Sequence, residues 1–420
     1  MPPVSPKDVS PARGFRDHPP AVKARREALL RTIREVYTEH GFAEIETPVV
    51  EPLERLRDSE GGENVGMIFE ILRRGLTAEE LAGATDPHQL ADLGLRYDLT
   101  VPLARFYATE HARLPSVARL IQIGSVWRAE RPQKGRYRQF TQCDIDTIGE
   151  AGVLAEVELI VATLRALGRI GLRGSVVRLN DRRLLLAMLD ATGVPPEQHA
   201  GALIVIDKLD KIGPAGVAEQ LAAMGLGSAA DALSGHLRRF QAGPVGIEAF
   251  VEALGAGAVP ADVVDDHRTI VAGVRAIAGA EAIRFDPSLV RGLGYYTGPI
   301  FEVEHPESGH SVAGGGRYDG MIGRFLGREV PACGFSLGFD RLLELVPEDA
   351  GDDGRRVALI HPPDAAPVEV LREQERLIAG SYRVTLVPRA RNMKRVLEEA
   401  RQLGLTGWVE LGRDDVRPLG

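Results

Sequence analysis

Two stretches of opposite texture around a cluster of cations constrain this chain more than any other feature. Leu120-Ile121-Gln122-Ile123 is mostly apolar, and Gln142-Cys143-Asp144-Ile145-Asp146 alternates polar with apolar. Between them, Arg128, Arg131, Lys134, Arg136 and Arg138 place five cations within eleven residues. The pattern predicts two antiparallel strands joined by a long basic loop. An exposed, charged hairpin tip would carry the same residues. A hairpin built to hold a polyanion accounts for them more fully, because Arg forks bind phosphate oxygens bidentately and Phe140 offers a flat face to a base.

Arg128-Ala129-Glu130, the basic loop and Arg138-Gln139-Phe140 resemble motif 2 of the class II aminoacyl-tRNA synthetases. The longer string ERPQKGRYRQFTQ, Glu130 to Gln142, resembles the histidyl-tRNA synthetase family. The resemblance implies that Arg128, Glu130 and Arg136 bind ATP, the two arginines at its phosphates, and that Phe140 stacks on adenine.

Upstream, Val22–His40 carries apolar residues at helical spacing and stops at Gly41. Ala43–Val50 reads as a strand with Pro48 inside it, which fits a sheet edge. Helix then strand with an interior proline is similar to motif 1, the family's dimer-interface element. Gly66–Leu72 reads as a strand, and Thr77 to Glu80 as a capping box. In LRYDLTVP, Leu95 to Pro102, a strand end meets a helix start with Thr100 as N-cap. Asp98 and Thr100 alone are turn and cap residues. Their string resembles a histidyl-family segment, which implies that they hold the substrate's α-ammonium, a three-donor cation suited to a carboxylate and a hydroxyl.

On the return strand Gln142 and Asp146 share a face. By resemblance Gln142 helps hold the amino acid and Asp146 meets its imidazole. Asp144 faces the same side with no role implied, and Cys143 faces the core. Ala155–Leu167 is an amphipathic helix and Ser175–Leu179 a strand. Residues 181–280 turn Ala/Leu/Gly-rich and helical. Asp207–Ile212 within them reads as a solvated helix face, although VRLNDRRLLLAML and DKLDKIG resemble the family's insertion, which lies against the tRNA acceptor arm.

RGLGYYTG, Arg291 to Gly298, and GGGRYDG, Gly314 to Gly320, resemble the two histidine-specific motifs of the family. They imply Arg291 as a catalytic arginine that also meets histidine, with Tyr296 at the imidazole and Tyr295 beside it in the histidine site. Gly294 replaces the family's usual aspartate, which puts amino-acid specificity in question. A glycine-rich turn is expected at Ala313–Gly316. GFSLGFDR, Gly334 to Arg341, is similar to motif 3 and implies Arg341 at the γ-phosphate beside a helix start.

Residues 347–355 form a polar linker. Beyond it the order β-α-β-α-β argues for a small α/β domain, and from Arg355 to the end 12 Lys/Arg stand against 9 Asp/Glu, a net of +3 against −8 for the chain. It resembles the family's anticodon-binding domain, shortened at its C-terminus. The expected fold is thus an α+β class II synthetase catalytic domain, an antiparallel sheet flanked by helices, over residues 1–180 and 281–346. A helical insertion spans 181–280, and the α/β domain 356–420.

The chain has 420 residues, enough for two or three domains. No apolar run approaches the roughly 18 residues of a membrane helix, and the N-terminus lacks a signal peptide's apolar core. Two cysteines make no disulfide framework, so a cytoplasmic location is expected. The resemblance implies histidine, ATP with Mg²⁺, and tRNA(His) as substrates, and a homodimer; no His/Cys cluster suggests a structural zinc, so no protein-bound metal is expected. Arg128 and Arg291 would stabilise the charge that develops as adenylate forms. Two alternatives remain: a paralogue that delivers its adenylate to another acceptor, and a non-catalytic, histidine-sensing regulatory subunit of ATP phosphoribosyltransferase.

Overall fold

The computed structural model describes residues 9–58, 65–132, 136–241, 243, 245–255, 257–290, 295–347 and 355–419. The chain divides into two units, Val36–Leu345 and a second made of Met1–Glu35 with Val346–Gly420. Its strands are β1 (Ala43–Glu44), β2 (Val50–Pro52), β3 (Glu70–Leu72), β4 (Ala91–Leu95), β5 (Ala118–Trp127), β6 (Gln139–Ile148), β7 (Val176–Asp181) and β8 (Ile283–Phe285). They continue with β9 (Pro299–Glu304), β10 (Ala313–Arg317), β11 (Ala332–Gly338), β12 (Arg356–His361), β13 (Arg383–Pro388), β14 (Gly407–Glu410) and β15 (Arg417–Pro418).

The first unit is built on an eight-stranded sheet in the order β1-β5-β6-β11-β10-β9-β7-β8. Its six central strands are antiparallel, as expected. The outer pairs, β1 with β5 and β7 with β8, are parallel. The sheet is therefore mixed. Parallel neighbours need crossover connections, and the long segments 45–117 and 182–282 supply them.

The β5–β6 hairpin runs in register from Ala118↔Ile148 to Trp127↔Gln139 and extends one step further, with Arg128 N donating to Arg138 O at 2.8 Å. Register then carries one face across the sheet. Asp146, Asp144 and Gln142 lie beside Gly334, Ser336 and Gly338 of β11, and Gly316 and Gly314 of β10 lie beside Gly334 and Ser336. The other face is apolar: Cys143, Ile145, Phe335 and Leu337 are buried, with the helix Leu154–Arg169 packed on β6 and β11.

Several elements depart from the sequence pattern. Ala43–Val50 is not one strand: β1 and β2 belong to different sheets. Pro48 has no N–H to give a ladder, and the Arg96 guanidinium takes the carbonyls of Thr47 (2.8 Å) and Pro48 (3.4 Å). The strand expected from Gly66 shortens to Glu70–Leu72. Thr100 is the first helical residue rather than the cap, and Asp98 accepts the N–H of Val101 at 3.2 Å. The glycine-rich turn is strand β10 in mid-sheet. A Cβ on Gly315 would lie 2.0 Å from Gly334 O, so only glycine lets β10 approach β11. The capping box at Thr77 and Glu80 is present on both sides.

Between β7 and β8, six α-helices among the described residues, from Arg182 to Ala278, close around Leu184, Met188, Leu203, Leu221, Leu237 and Phe250. Asp207, Asp210 and Lys211 are exposed as expected, while Leu209 among them is buried. In the second unit, β13-β12-β14 are parallel and β15 pairs antiparallel with β14. Ala358 and Ile360 pack with Val396 and Ala400 of one helix, Leu359 with Val370 and Leu377 of the other. Alternation along β12 thus sends a helix to each face. The residues expected as a linker lie largely, at 348–354, outside the described ones.

Arg317, at the end of β10, is 7% exposed and its partner Glu156 is fully buried. All five guanidinium hydrogens have acceptors: Glu156 Oε1 (2.6 Å) and Oε2 (2.9 Å), Glu150 O, Gly152 O and Asp319 Oδ1. Removing one partner of such a pair leaves an uncompensated charge. Glu156→Ala is expected to cost about 3–5 kcal/mol, read as a lowered midpoint in chemical denaturation. A change under about 1 kcal/mol would show that the pair is solvated.

Candidate functional site

A cavity of about 420 Å³ opens on the polar face of the large sheet. β6 supplies one wall, with Phe140, Gln142, Asp144 and Asp146; the turn before the helix Thr100–Glu110 adds Asp98, and the helix adds its first residue, Thr100. Arg128 and Glu130 follow β5, Arg136 precedes β6, and Tyr295 and Tyr296 precede β9. Arg341 stands in the first turn of the helix Phe339–Leu345. Every site residue expected from the sequence lines this one cavity except Arg291, which with Gly294 lies outside the described residues.

The floor is nearly free of side chains. Gly314, Gly315, Gly334 and Gly338 line it, and a Cβ on Gly334 would stand 2.0 Å from Asp146 Oδ1. Depth on this face comes from glycine, and the rim residues supply the polarity.

Charge divides along β6. Phe140 and Asp146, six residues apart on the strand, are separated by about 20 Å. At the Phe140 end the Arg128 guanidinium sits 5.2 Å from the ring centroid, within cation–π range. Its Nε donates to Tyr97 O at 3.1 Å. Arg341 donates to Ser311 O at 3.1 Å. At the other end three carboxylates crowd together. Burial pushes Asp98 up to about 6, against the pull of the Val101 N–H and of Arg128 and Arg96. Burial raises Asp146 to about 7, offset in part by the Tyr318 hydroxyl, which donates to it at 2.5 Å. Burial and then Asp146 raise Asp144 well above the usual carboxylate range. One end suits a polyphosphate and a flat base, the other a cation with several N–H donors.

Sequence reasoning missed four contributors. Tyr318, buried, fixes Asp146, although it stood inside a string already singled out. Ser336 bonds both Gln142 and Asp144, and Asp340 accepts the Thr141 N–H at 2.7 Å. Gly334 is the fourth. Register across β6–β11 reveals Ser336 and Gly334, whereas Asp340 reaches β6 from the helix after β11. A neighbouring cavity of about 920 Å³ shares Arg136, Tyr295, Ser311 and Arg341 and reaches to Asp207–Lys211 and His305–Ser311. Among the described residues no group of three His, Cys, Asp or Glu could hold a metal ion.

A family model described as Histidyl-tRNA synthetase matches residues 14–342. A histidine–tRNA ligase of Leifsonia xyli subsp. xyli is 49% identical, covering 98% of each chain. A probable histidine–tRNA ligase of Tropheryma whipplei is 40% identical over 96% of each. Among solved structures, the histidyl-tRNA synthetase of Nostoc sp. PCC 7120 superposes with a TM-score of 0.76 at 25% identity, over 96% of this chain and 91% of that one. A Bacillus halodurans protein described as an ATP phosphoribosyltransferase regulatory subunit/histidyl-tRNA synthetase gives the same TM-score at 20% identity, over 97% and 98%, which speaks to the fold alone.

Carboxyl-carbon NMR of the ligand-free protein is expected to show Asp98 titrating near 6 and Asp146 near 7. Because folding raises both values, these groups favour the fold at low pH and withdraw that stability as pH rises through about 6 and then 7. Ordinary values near about 4 for both would mean that water fills the carboxylate end.

Proposed function

The chain belongs to the histidyl-tRNA synthetase family, and from that premise we propose that it activates histidine with ATP and transfers the histidyl group to tRNA(His). The observation that carries the reading is the two-ended cavity, with cations and an aromatic face at one end and three buried carboxylates at the other. A nucleotide triphosphate and an amino acid laid end to end along β6 would match that polarity.

In this reading Phe140 carries the adenine, with Arg136 and Arg341 on the β- and γ-phosphates. Asp98, Thr100 and Gln142 hold the α-ammonium, and Asp146, Tyr295 and Tyr296 face the imidazole. A rival side chain would leave those buried polar groups unpaired, which is a strong penalty. A carboxylate oxygen of histidine attacks the α-phosphorus, and pyrophosphate leaves with the broken P–O bond's electron pair. Arg128 and Arg291 stabilise the negative charge that builds on the α-phosphate oxygens. A terminal ribose hydroxyl of the tRNA then attacks the carbonyl carbon and AMP leaves. The larger cavity, open to the shared Arg136 and Arg341, offers the tRNA end a way in.

Mg²⁺ suits this donor set only as a companion of ATP: it keeps water and phosphate oxygens as ligands, and Glu130 is the carboxylate at the nucleotide end that would reach it. It would neutralise phosphate charge. We assign residues 1–180 and 281–346 to catalysis, 181–280 to the acceptor arm and 356–420 to anticodon binding. A homodimer and a cytoplasmic location belong to the same proposal.

ATP–pyrophosphate exchange across the standard amino acids tests it, followed by charging of total tRNA. Exchange with histidine and charging are expected. Exchange without charging would point to another acceptor, and no exchange would sink the reading. Arg291→Ala is expected to slow exchange by about 10²-fold or more; near-normal exchange in that variant would remove Arg291 from the chemistry.

A further inference from the structure

A three-residue relay runs beneath the carboxylate end, and two of its members, Ser336 and Asp144, are given no role in the chemistry above. Gln142 Nε2 donates to Ser336 Oγ at 2.8 Å, and Ser336 Oγ donates to Asp144 Oδ1. The other amide atom, Gln142 Oε1, is buried without a hydrogen-bond partner among the described residues. Both Gln142 and Asp144 line the cavity and are over nine-tenths buried. A buried amide oxygen left without a donor is costly, and it is commonly retained where a ligand completes the bond.

We propose that Asp144 is a positioning residue: through Ser336 it fixes the Gln142 side-chain amide so that its oxygen, not its NH₂, faces the substrate ammonium. The proposal rests on the reading that Gln142 holds that ammonium. The argument follows from donor and acceptor inventory. Burial raises Asp144, but the Ser336 hydroxyl draws it back towards its ionised form and an arriving ammonium does so further; once ionised it only accepts, so the single hydroxyl hydrogen of Ser336 points to Asp144. Ser336 then has only lone pairs for Gln142, which must answer with its NH₂ and leave Oε1 for the cavity. Remove the charge and the chain can reverse: an amide at 144 donates to Ser336, Ser336 donates to Gln142 Oε1, and NH₂ turns towards the ammonium. The β6–β11 ladder holds the relay in place, since Asp144↔Ser336 and Gln142↔Gly338 are register partners. Gly338 leaves room beside Gln142, with no atom nearer than 3.6 Å to where its Cβ would be.

Calorimetry on the full chain tests this with two ligands, histidine and imidazolepropionate, the same molecule without its ammonium group. Asp144→Asn and Ser336→Ala are each expected to weaken histidine by about tenfold or more, while imidazolepropionate changes less than about twofold. In exchange assays the KM for histidine should rise, with the KM for ATP and kcat nearly unmoved. Adding Gln142→Glu to Asp144→Asn should restore histidine affinity, because a carboxylate presents oxygen in either orientation. Unchanged histidine affinity in both single variants, or equal losses for the two ligands, would overturn the relay. Should Asp144→Asn fail to fold, Ser336→Ala carries the same comparison. Absence of exchange in the parent enzyme would fault the functional reading, whereas the ligand comparison needs no turnover.

Discussion

The bidentate pair between Arg317 and Glu156 sets the geometry on which the site depends. Arg317 spends all five of its donors on one side of β10, towards the helix Leu154–Arg169 and the loop before it. Side chains alternate along an extended chain, so its neighbours Gly316 and Tyr318 are turned the other way. Gly316 leaves space there, and Tyr318 delivers its hydroxyl to Asp146. A buried ion pair is weak evidence for net stability, because desolvation offsets most of its attraction. Its value here is directional. Slippage of β10 by one residue would send Tyr318 into the helix and a charged guanidinium into the cavity.

The cavity is poorly suited to being empty. Asp98, Asp144 and Asp146 are all raised by burial, and the latter two also by neighbouring carboxylates. A group whose ionised form is disfavoured by its surroundings gains most when a cation arrives. An uncharged or anionic ligand would offer these carboxylates no such gain. The cationic end is opposite in charge, with the Arg128 guanidinium 5.2 Å from the centroid of the Phe140 ring.

Much of this was legible in the chain before any coordinates. The hairpin, the shared face of Gln142, Asp144 and Asp146, the capping box at Thr77 and the alternating terminal α/β unit follow from periodicity and local hydrogen-bonding chemistry. What periodicity missed depends on distant partners. The break after Glu44 is made by Arg96, some fifty residues on, which takes carbonyls that a ladder would have used. The Gly314–Gly316 run reads as a turn because glycine usually supplies unusual dihedrals. Here it is strand, and the need was for absent side chains between β10 and β11. Ser336 carries no local signal at all, since its meaning lies in facing Asp144 across a ladder.

The strand order explains why the site's residues stand so far apart in the chain. β6 and β11 are neighbours although nearly two hundred residues separate Asp146 from Gly334. About a hundred of the intervening residues leave the sheet at β7 and return at β8, its immediate neighbour. A long excursion whose ends lie side by side costs little more closure entropy than a short one, because the cost grows only with the logarithm of length. The helices between Arg182 and Ala278 build a core of their own apolar residues that joins the sheet at Phe285 of β8 and Ile300 of β9. Their position next to the larger cavity then follows from topology. Whatever is inserted between β7 and β8 must emerge beside β9, the strand that leads from the paired tyrosines into the floor of the site.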